Sequence, residues 1–130
     1  EGAYRVGENL LASNKAAQGN IQGIFTPNES TTFGMLRVLE NSGLAGKIRF
    51  VGFDSSDKLV SGLRDGAIDG LVLQNPFAMG YIGVKTLVSH LKGERVEKMI
   101  DTGVAVVTRE NMNQPEIKER LQPNLDQYLK

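Results

Sequence analysis

The chain has no cysteine, no tryptophan and a single histidine among its 130 residues. Without thiols it forms neither disulfides nor thiolate metal centres, and His90 alone cannot supply the imidazoles of an ordinary zinc site. Charge of one sign is also missing. Fifteen basic and fifteen acidic residues cancel, so the electrostatic footprint of a nucleic-acid or anionic-membrane binder is absent. No apolar run approaches the ~20 residues that a membrane-spanning helix needs. The lack of cysteine does not by itself indicate a compartment.

Catalytic motifs are scarce too. Despite fifteen glycines, no G-x-G-x-x-G follows an apolar strand-like run. Gly43-Leu44-Ala45-Gly46-Lys47-Ile48 resembles a phosphate loop only superficially: its spacing is wrong, the Ser/Thr is missing, and it leads into a strand. Ser89 and His90 are neighbours on a helical stretch and point in different directions, so they form no nucleophile–base pair. The composition that remains, 40% hydrophobic and 23% charged, is that of a folded domain with its own core.

The apolar residues alternate between two periods. Residues 3–13 carry Val6, Leu10 and Leu11 at helical spacing, and Asn14 and Gly19-Asn20 supply stop and turn chemistry. Residues 21–25 (I-Q-G-I-F) predict a short buried parallel strand. Ser30 to Thr32 offer N-cap hydroxyls for a helix striped by Thr32, Met35, Leu36 and Leu39 and closed by Gly43. Residues 48–53 form the clearest strand; Leu59, Val60 and Leu63 follow on one helical face ending near Gly66. A third strand is expected at 71–73. Pro76 then opens a helix with a Val84, Leu87, Val88, Leu91 stripe, stopped by Gly93. Residues 102–108 predict a fourth strand, and 111–130, with Pro115 and Pro123, a short helix and a tail. The order α-β-α-β-α-β-α-β-α implies an α/β fold with right-handed crossovers and a mainly parallel sheet flanked by helices. The chain opens at Glu1 directly into a helical pattern, so the expectation is a fragment or processed product whose first strand lies elsewhere.

Polar residues recur where these strands end. Phe25-Thr26-Pro27-Asn28-Glu29, Gly52-Phe53-Asp54 and Leu73-Gln74-Asn75-Pro76 each close a strand before a helix, on the edge where open parallel sheets bind ligands. Glu8, Glu29, Glu40, Asp57, Asp65 and Asp69 read as caps, turns or solvated charge. Asp54 is expected to contact a ligand, since Ser55 or Ser56 can cap the next helix in its place. Asn28 alone would pass for a turn residue. Gln74 carries donors and an acceptor that a strand end must satisfy, while Asn75-Pro76 already covers the turn. One carboxylate flanked by two amides suits a polyhydroxylated ligand, because each hydroxyl can donate to the carboxylate and accept from an amide. No acid–base pair accompanies them, so the site grips without an evident catalytic step, and no cofactor is expected.

The strings G-I-F-T-P-N-E, F-V-G-F-D-S-S-D-K-L-V-S-G-L-R-D-G-A-I-D-G-L-V-L-Q-N-P and M-G-Y-I-G-V-K-T-L resemble the ribose-binding-like, type I periplasmic sugar-binding proteins of bacterial ABC importers, over nearly the whole chain. They are most similar to the C-terminal half of such a protein. The resemblance implies two Rossmann-like lobes joined by a hinge that closes over a sugar, with Asn28, Asp54 and Gln74 hydrogen-bonding it. It implies that 1–75 are βα units of the C-terminal lobe, that 76–101 cross to the N-terminal lobe, and that 102–130 return. It also implies a membrane permease as partner, no enzymatic activity, and a place in the periplasm or on the extracellular face of the envelope, lipid-anchored in a Gram-positive organism. Parted from the other lobe, helix 77–92 would leave its apolar stripe to self-association or swapping. The same fold serves as effector domain in LacI-type repressors, which stands as the alternative; a small Rossmann-like enzyme fragment is disfavoured for want of a phosphate loop or nucleophile.

Overall fold

A computed structural model describes residues 1–121. Its elements run α1 (Gly2–Ser13), a 3-10 turn (Ala16–Gln18), β1 (Gly23–Phe25), α2 (Glu29–Asn41), β2 (Arg49–Phe53), α3 (Asp57–Asp65), β3 (Gly70–Leu73), α4 (Pro76–Leu91), β4 (Ala105–Val107) and α5 (Pro115–Leu121). The expected alternation is present. Pro123 and the expected tail lie outside the described residues.

The four strands form one sheet in the order β1-β2-β3-β4. β1 pairs parallel with β2, Ile24 opposite Phe50 and Phe25 opposite Val51, and β2 pairs parallel with β3, Gly52 opposite Leu71 and Phe53 opposite Val72. By contacts the chain divides into two units. Glu1–Leu73 with the chain from Val106 onward make the first, and Gln74–Ala105 make the second.

The first unit is built around a buried stripe on α2. Thr32, Met35, Leu36 and Leu39 recur at helical spacing and are buried, as is Phe50 on the facing sheet. Leu59 and Leu63 of α3, Ile68, Leu71 and Val107 complete this core, each at most 1% exposed. α1 packs on α2, where Gly34 lets the helices approach closely: a Cβ there would stand 2.8 Å from that of Ala3. Gly66, at φ 83°, ends α3 in the left-handed conformation that glycine reaches without a Cβ penalty.

Several expectations change. Residues 21–25 were expected as a buried strand, but β1 is an edge strand in which only Ile24 is half-buried and Phe25 is 58% exposed. An apolar run between turn signals does not distinguish a central strand from an edge. β2 alternates between buried Phe50 and Gly52 and half-buried Val51 and Phe53. One sheet face is therefore closed over by α2 and α3, while the face of Phe25, Val51, Phe53 and Val72 is less covered among the described residues. β4 is shorter than 102–108 because Gly103, at φ 69°, turns the chain and its N–H donates to Asp101 Oδ1 at 2.8 Å.

The second unit holds α4, opened by Pro76 behind its N-cap Asn75, whose Oδ1 accepts from Ala78 N–H at 3.1 Å. No residue of α4 is buried; Val84 and Leu91 are 64% and 76% exposed.

Candidate functional site

The carboxyl ends of β1 and β2 lie side by side, because the strands are parallel and in register. Thr26 N–H donates to Val51 O at 3.1 Å, the last ladder bond before the chain turns at Pro27. Asn28 follows with extended backbone and becomes the N-cap of α2. Its Oδ1 accepts from Thr31 N–H at 3.0 Å, Ser30 Oγ at 3.0 Å and Thr31 Oγ1 at 2.9 Å. The cap expected from the hydroxyls of Ser30 to Thr32 thus falls to Asn28, since a side-chain amide oxygen at this position reaches the first-turn donors directly. These bonds occupy Oδ1 and leave the Nδ2 donors of this exposed residue for another acceptor.

Asp54 stands one residue past β2, half-buried, with its backbone at φ 64°. Its N–H donates to Val72 O at 2.8 Å, extending the pairing with β3 by one bond. Aspartate is among the few non-glycine residues that enter the left-handed region readily, yet such a conformation still costs on the order of 1 kcal/mol or more. The N-cap position of α3 belongs to Ser56, so Asp54 does not occupy it. Gln74 directly follows Leu73, the last residue of β3, and is half-buried; it opens the second unit. Capping of the next helix is performed by Asn75 rather than by Gln74, as the turn chemistry of Asn75-Pro76 predicted.

Two residues at this edge form a pair that sequence patterns did not single out. Thr26 and Thr32 are buried, with Oγ1 atoms 2.8 Å apart. Nothing in a threonine at a strand end and another six residues later marks them as a pair. Thr32 was legible as an N-cap hydroxyl and as a member of the α2 stripe, not as the partner of Thr26.

Asp69, expected at a cap, a turn or a solvent face, stands in the turn before β3. It accepts from Phe50 N–H at 2.8 Å and pairs with Arg49, clamping the turn before β3 to β2. His90 is exposed, and no group of three or more His, Asp or Glu among the described residues is arranged to hold a metal ion. Glu110, which is exposed, has its carboxyl held below the usual range chiefly by a hydrogen bond with the Thr108 side chain; it lies apart from the strand-end residues in sequence. A shallow hollow within the second unit is lined by Tyr81, Lys85, Ser89, Arg95, Glu97 and Ile100, among others, and contains none of the three candidate residues.

A family described as "Periplasmic binding protein domain" matches residues 1–95. The ribose import binding protein RbsB of Haemophilus influenzae is 36% identical over 103 residues, covering 79% of this chain and 33% of that protein. A solute-binding protein of an ABC transporter from Agrobacterium vitis, solved with bound D-fucose, is 41% identical with a TM-score of 0.83, over 92% of this chain and 40% of that one. A carbohydrate-transporter solute-binding protein from Agrobacterium radiobacter, in complex with D-arabinose, is 39% identical with a TM-score of 0.79, over 88% and 39% of the two chains. The chain therefore spans about a third of the length of the curated relative it matches.

Proposed function

The chain belongs to the periplasmic binding protein domain family, and from that premise we propose that it forms part of the solute-binding component of a bacterial ABC importer, lining one wall of a sugar site. The observation that carries this reading is the edge at which Asn28 and Asp54 follow adjacent parallel strands, in a chain 36–41% identical to proteins named for ribose import or solved with D-fucose or D-arabinose. Asp54 accepts two sugar hydroxyls, the Asn28 Nδ2 donates to a third oxygen, and Gln74 adds an amide from the end of β3. Charged hydrogen bonds are worth about 1.5–3 kcal/mol each, against roughly 1 kcal/mol for neutral ones, so Asp54 dominates this wall.

Residues 76–101 belong, in this reading, to a second lobe whose sheet covers the Val84–Leu91 stripe. The independence of the Gln74–Ala105 unit and the bare α4 support that assignment. Sugar binding then shifts an open–closed equilibrium, because the ligand touches both walls only when the hinge is closed. The protein works in the periplasm or at the extracellular face of the envelope and delivers its sugar to a membrane permease, with no chemical step of its own. The named relatives favour the importer over a repressor's effector domain.

The test is calorimetric titration of the whole binding protein with D-ribose, D-fucose and D-arabinose, comparing wild type with Asp54→Asn. Asparagine keeps the left-handed backbone accessible and removes only the charge. The expected result is one sugar bound by wild type and at least tenfold weaker binding by Asp54→Asn. If the variant binds within a factor of about two of wild type, Asp54 is not in the site.

A further inference from the structure

The hydroxyl of Thr32 sits where the two strand-end loops meet. Odd-numbered residues of β2 direct their N–H and C=O toward β1: Arg49 N–H donates to Gln22 O at 3.0 Å, and Val51 O accepts from Thr26 N–H. The next donor on that side is Phe53 N–H. β1 has ended by then, and the chain has turned away at Pro27. Thr32 Oγ1 accepts this orphan donor at 3.0 Å. The same oxygen lies 2.7 Å from Asn28 O, 2.8 Å from Thr26 Oγ1 and 3.3 Å from Phe53 O.

A threonine hydroxyl has one proton and two lone pairs. A carbonyl cannot donate, so the short contact to Asn28 O takes the Thr32 proton. Both lone pairs then accept, one from Phe53 N–H and one from the Thr26 hydroxyl. The direction of the relay follows: Thr26 to Thr32 to the carbonyl of Asn28. All three bonds are made in a residue with no solvent exposure. One oxygen thus ties Asn28, the first candidate ligand residue, to Phe53, the residue before Asp54.

Gly52 makes the approach possible. A Cβ at position 52 would stand 2.2 Å from Thr32 Cγ2, a separation real side chains do not show, and a tight 3.0 Å from its Oγ1. The glycine of Gly52-Phe53-Asp54 therefore admits the α2 threonine to the β2 backbone.

We propose that Thr32, keyed by Thr26 and admitted by Gly52, is a positioning residue of the binding site, setting the separation of the loops that carry Asn28 and Asp54. The proposal rests on the sugar-site reading above. Thr32 contacts no ligand in it; its action runs through the Asn28 carbonyl and the Phe53 amide.

The experiment measures D-ribose, D-fucose and D-arabinose affinity of the whole binding protein carrying Thr32→Val, Thr32→Ser or Asp54→Asn, with thermal melts alongside. Valine keeps the shape and removes the hydroxyl, leaving Phe53 N–H unpaired. Serine restores the hydroxyl without the methyl. The expected result is a tenfold or greater loss of affinity for Thr32→Val and a loss under threefold for Thr32→Ser. The two losses of Thr32→Val and Asp54→Asn should combine to less than their product in the double variant, which a purely structural role would not produce. Should Thr32→Val fail to fold, Thr32→Ala takes its place, since a water can fill the space and pair with Phe53 N–H; at least fivefold weaker binding is expected. If Asp54→Asn weakens binding but the folded Thr32 variants bind within twofold of wild type, the positioning role is wrong and the sugar site stands. If Asp54→Asn itself has no effect, the site reading fails first.

Discussion

In the proposed site Asn28 carries two duties on one side chain, and its two ends divide them. The oxygen caps α2, and the nitrogen takes no part in that cap. That division makes the duties separable by substitution. Asn28→Asp retains a capping acceptor and loses the amide donors; Asn28→Ala loses both. The alanine variant should lose about 1 kcal/mol of stability with the cap, whereas the aspartate variant should melt close to wild type. Both should bind sugar more weakly. Denaturant melts paired with calorimetry check this, and an aspartate variant with undiminished affinity would remove Asn28 from the site. Asp54 shows a related economy in the proposed site: it combines a charge suited to sugar hydroxyls with a backbone conformation few other residues enter. The strain is local to the proposed site, where such strain tends to accumulate.

Among elements, α2 is the one on which the proposed site depends. Its N-terminus carries Asn28 and Thr32, its stripe fills the core, and its outer flank receives α1. The α1–α2 contact is close because Gly34 has no Cβ to meet Ala3 Cβ and Tyr4 N, which would lie at 2.8 and 3.1 Å. Gly34→Val should therefore force the helices apart and cost about 2 kcal/mol, within the ~1–3 kcal/mol range of overpacked cores. Urea unfolding measures it, and a variant as stable as wild type would show that α1 docks loosely. β1 contributes less than a central strand would, since it pairs on one side only and is three residues long. Its loop is held by Thr32 rather than by further ladder bonds.

For the molecule as a whole, two apolar surfaces stand open among the described residues. One is α4, which buries nothing. The other is the sheet face of Phe25, Val51, Phe53 and Val72, of which Phe25 is the most exposed. Contiguous apolar surface of this kind associates in water. The 130-residue chain made by itself should accordingly self-associate, with a concentration-dependent mass in sedimentation equilibrium, and Leu87→Glu with Leu91→Glu should reduce it. A monomer at every concentration would count against the assignment of α4 to a second lobe. In the whole binding protein the same substitutions should instead destabilise the fold, because the stripe would then be core.

Periodicity in the sequence was enough to determine the α/β class, the order of elements and the strand ends at which polar residues gather, because helical and strand burial impose different spacings on apolar side chains. The resemblance of the strand-end strings to sugar-binding proteins was likewise legible in local residues. Tertiary structure decided the rest. The edge position of β1, the capping by Asn28, the clamp by Asp69 and the left-handed backbone of Asp54 all depend on which strand lies beside which, and short apolar runs do not encode neighbours. The Thr26–Thr32 relay is the clearest case. Two ordinary threonines become a buried, fully satisfied junction only when β1 stops one bond short of β2 and Gly52 leaves room for a hydroxyl from another element.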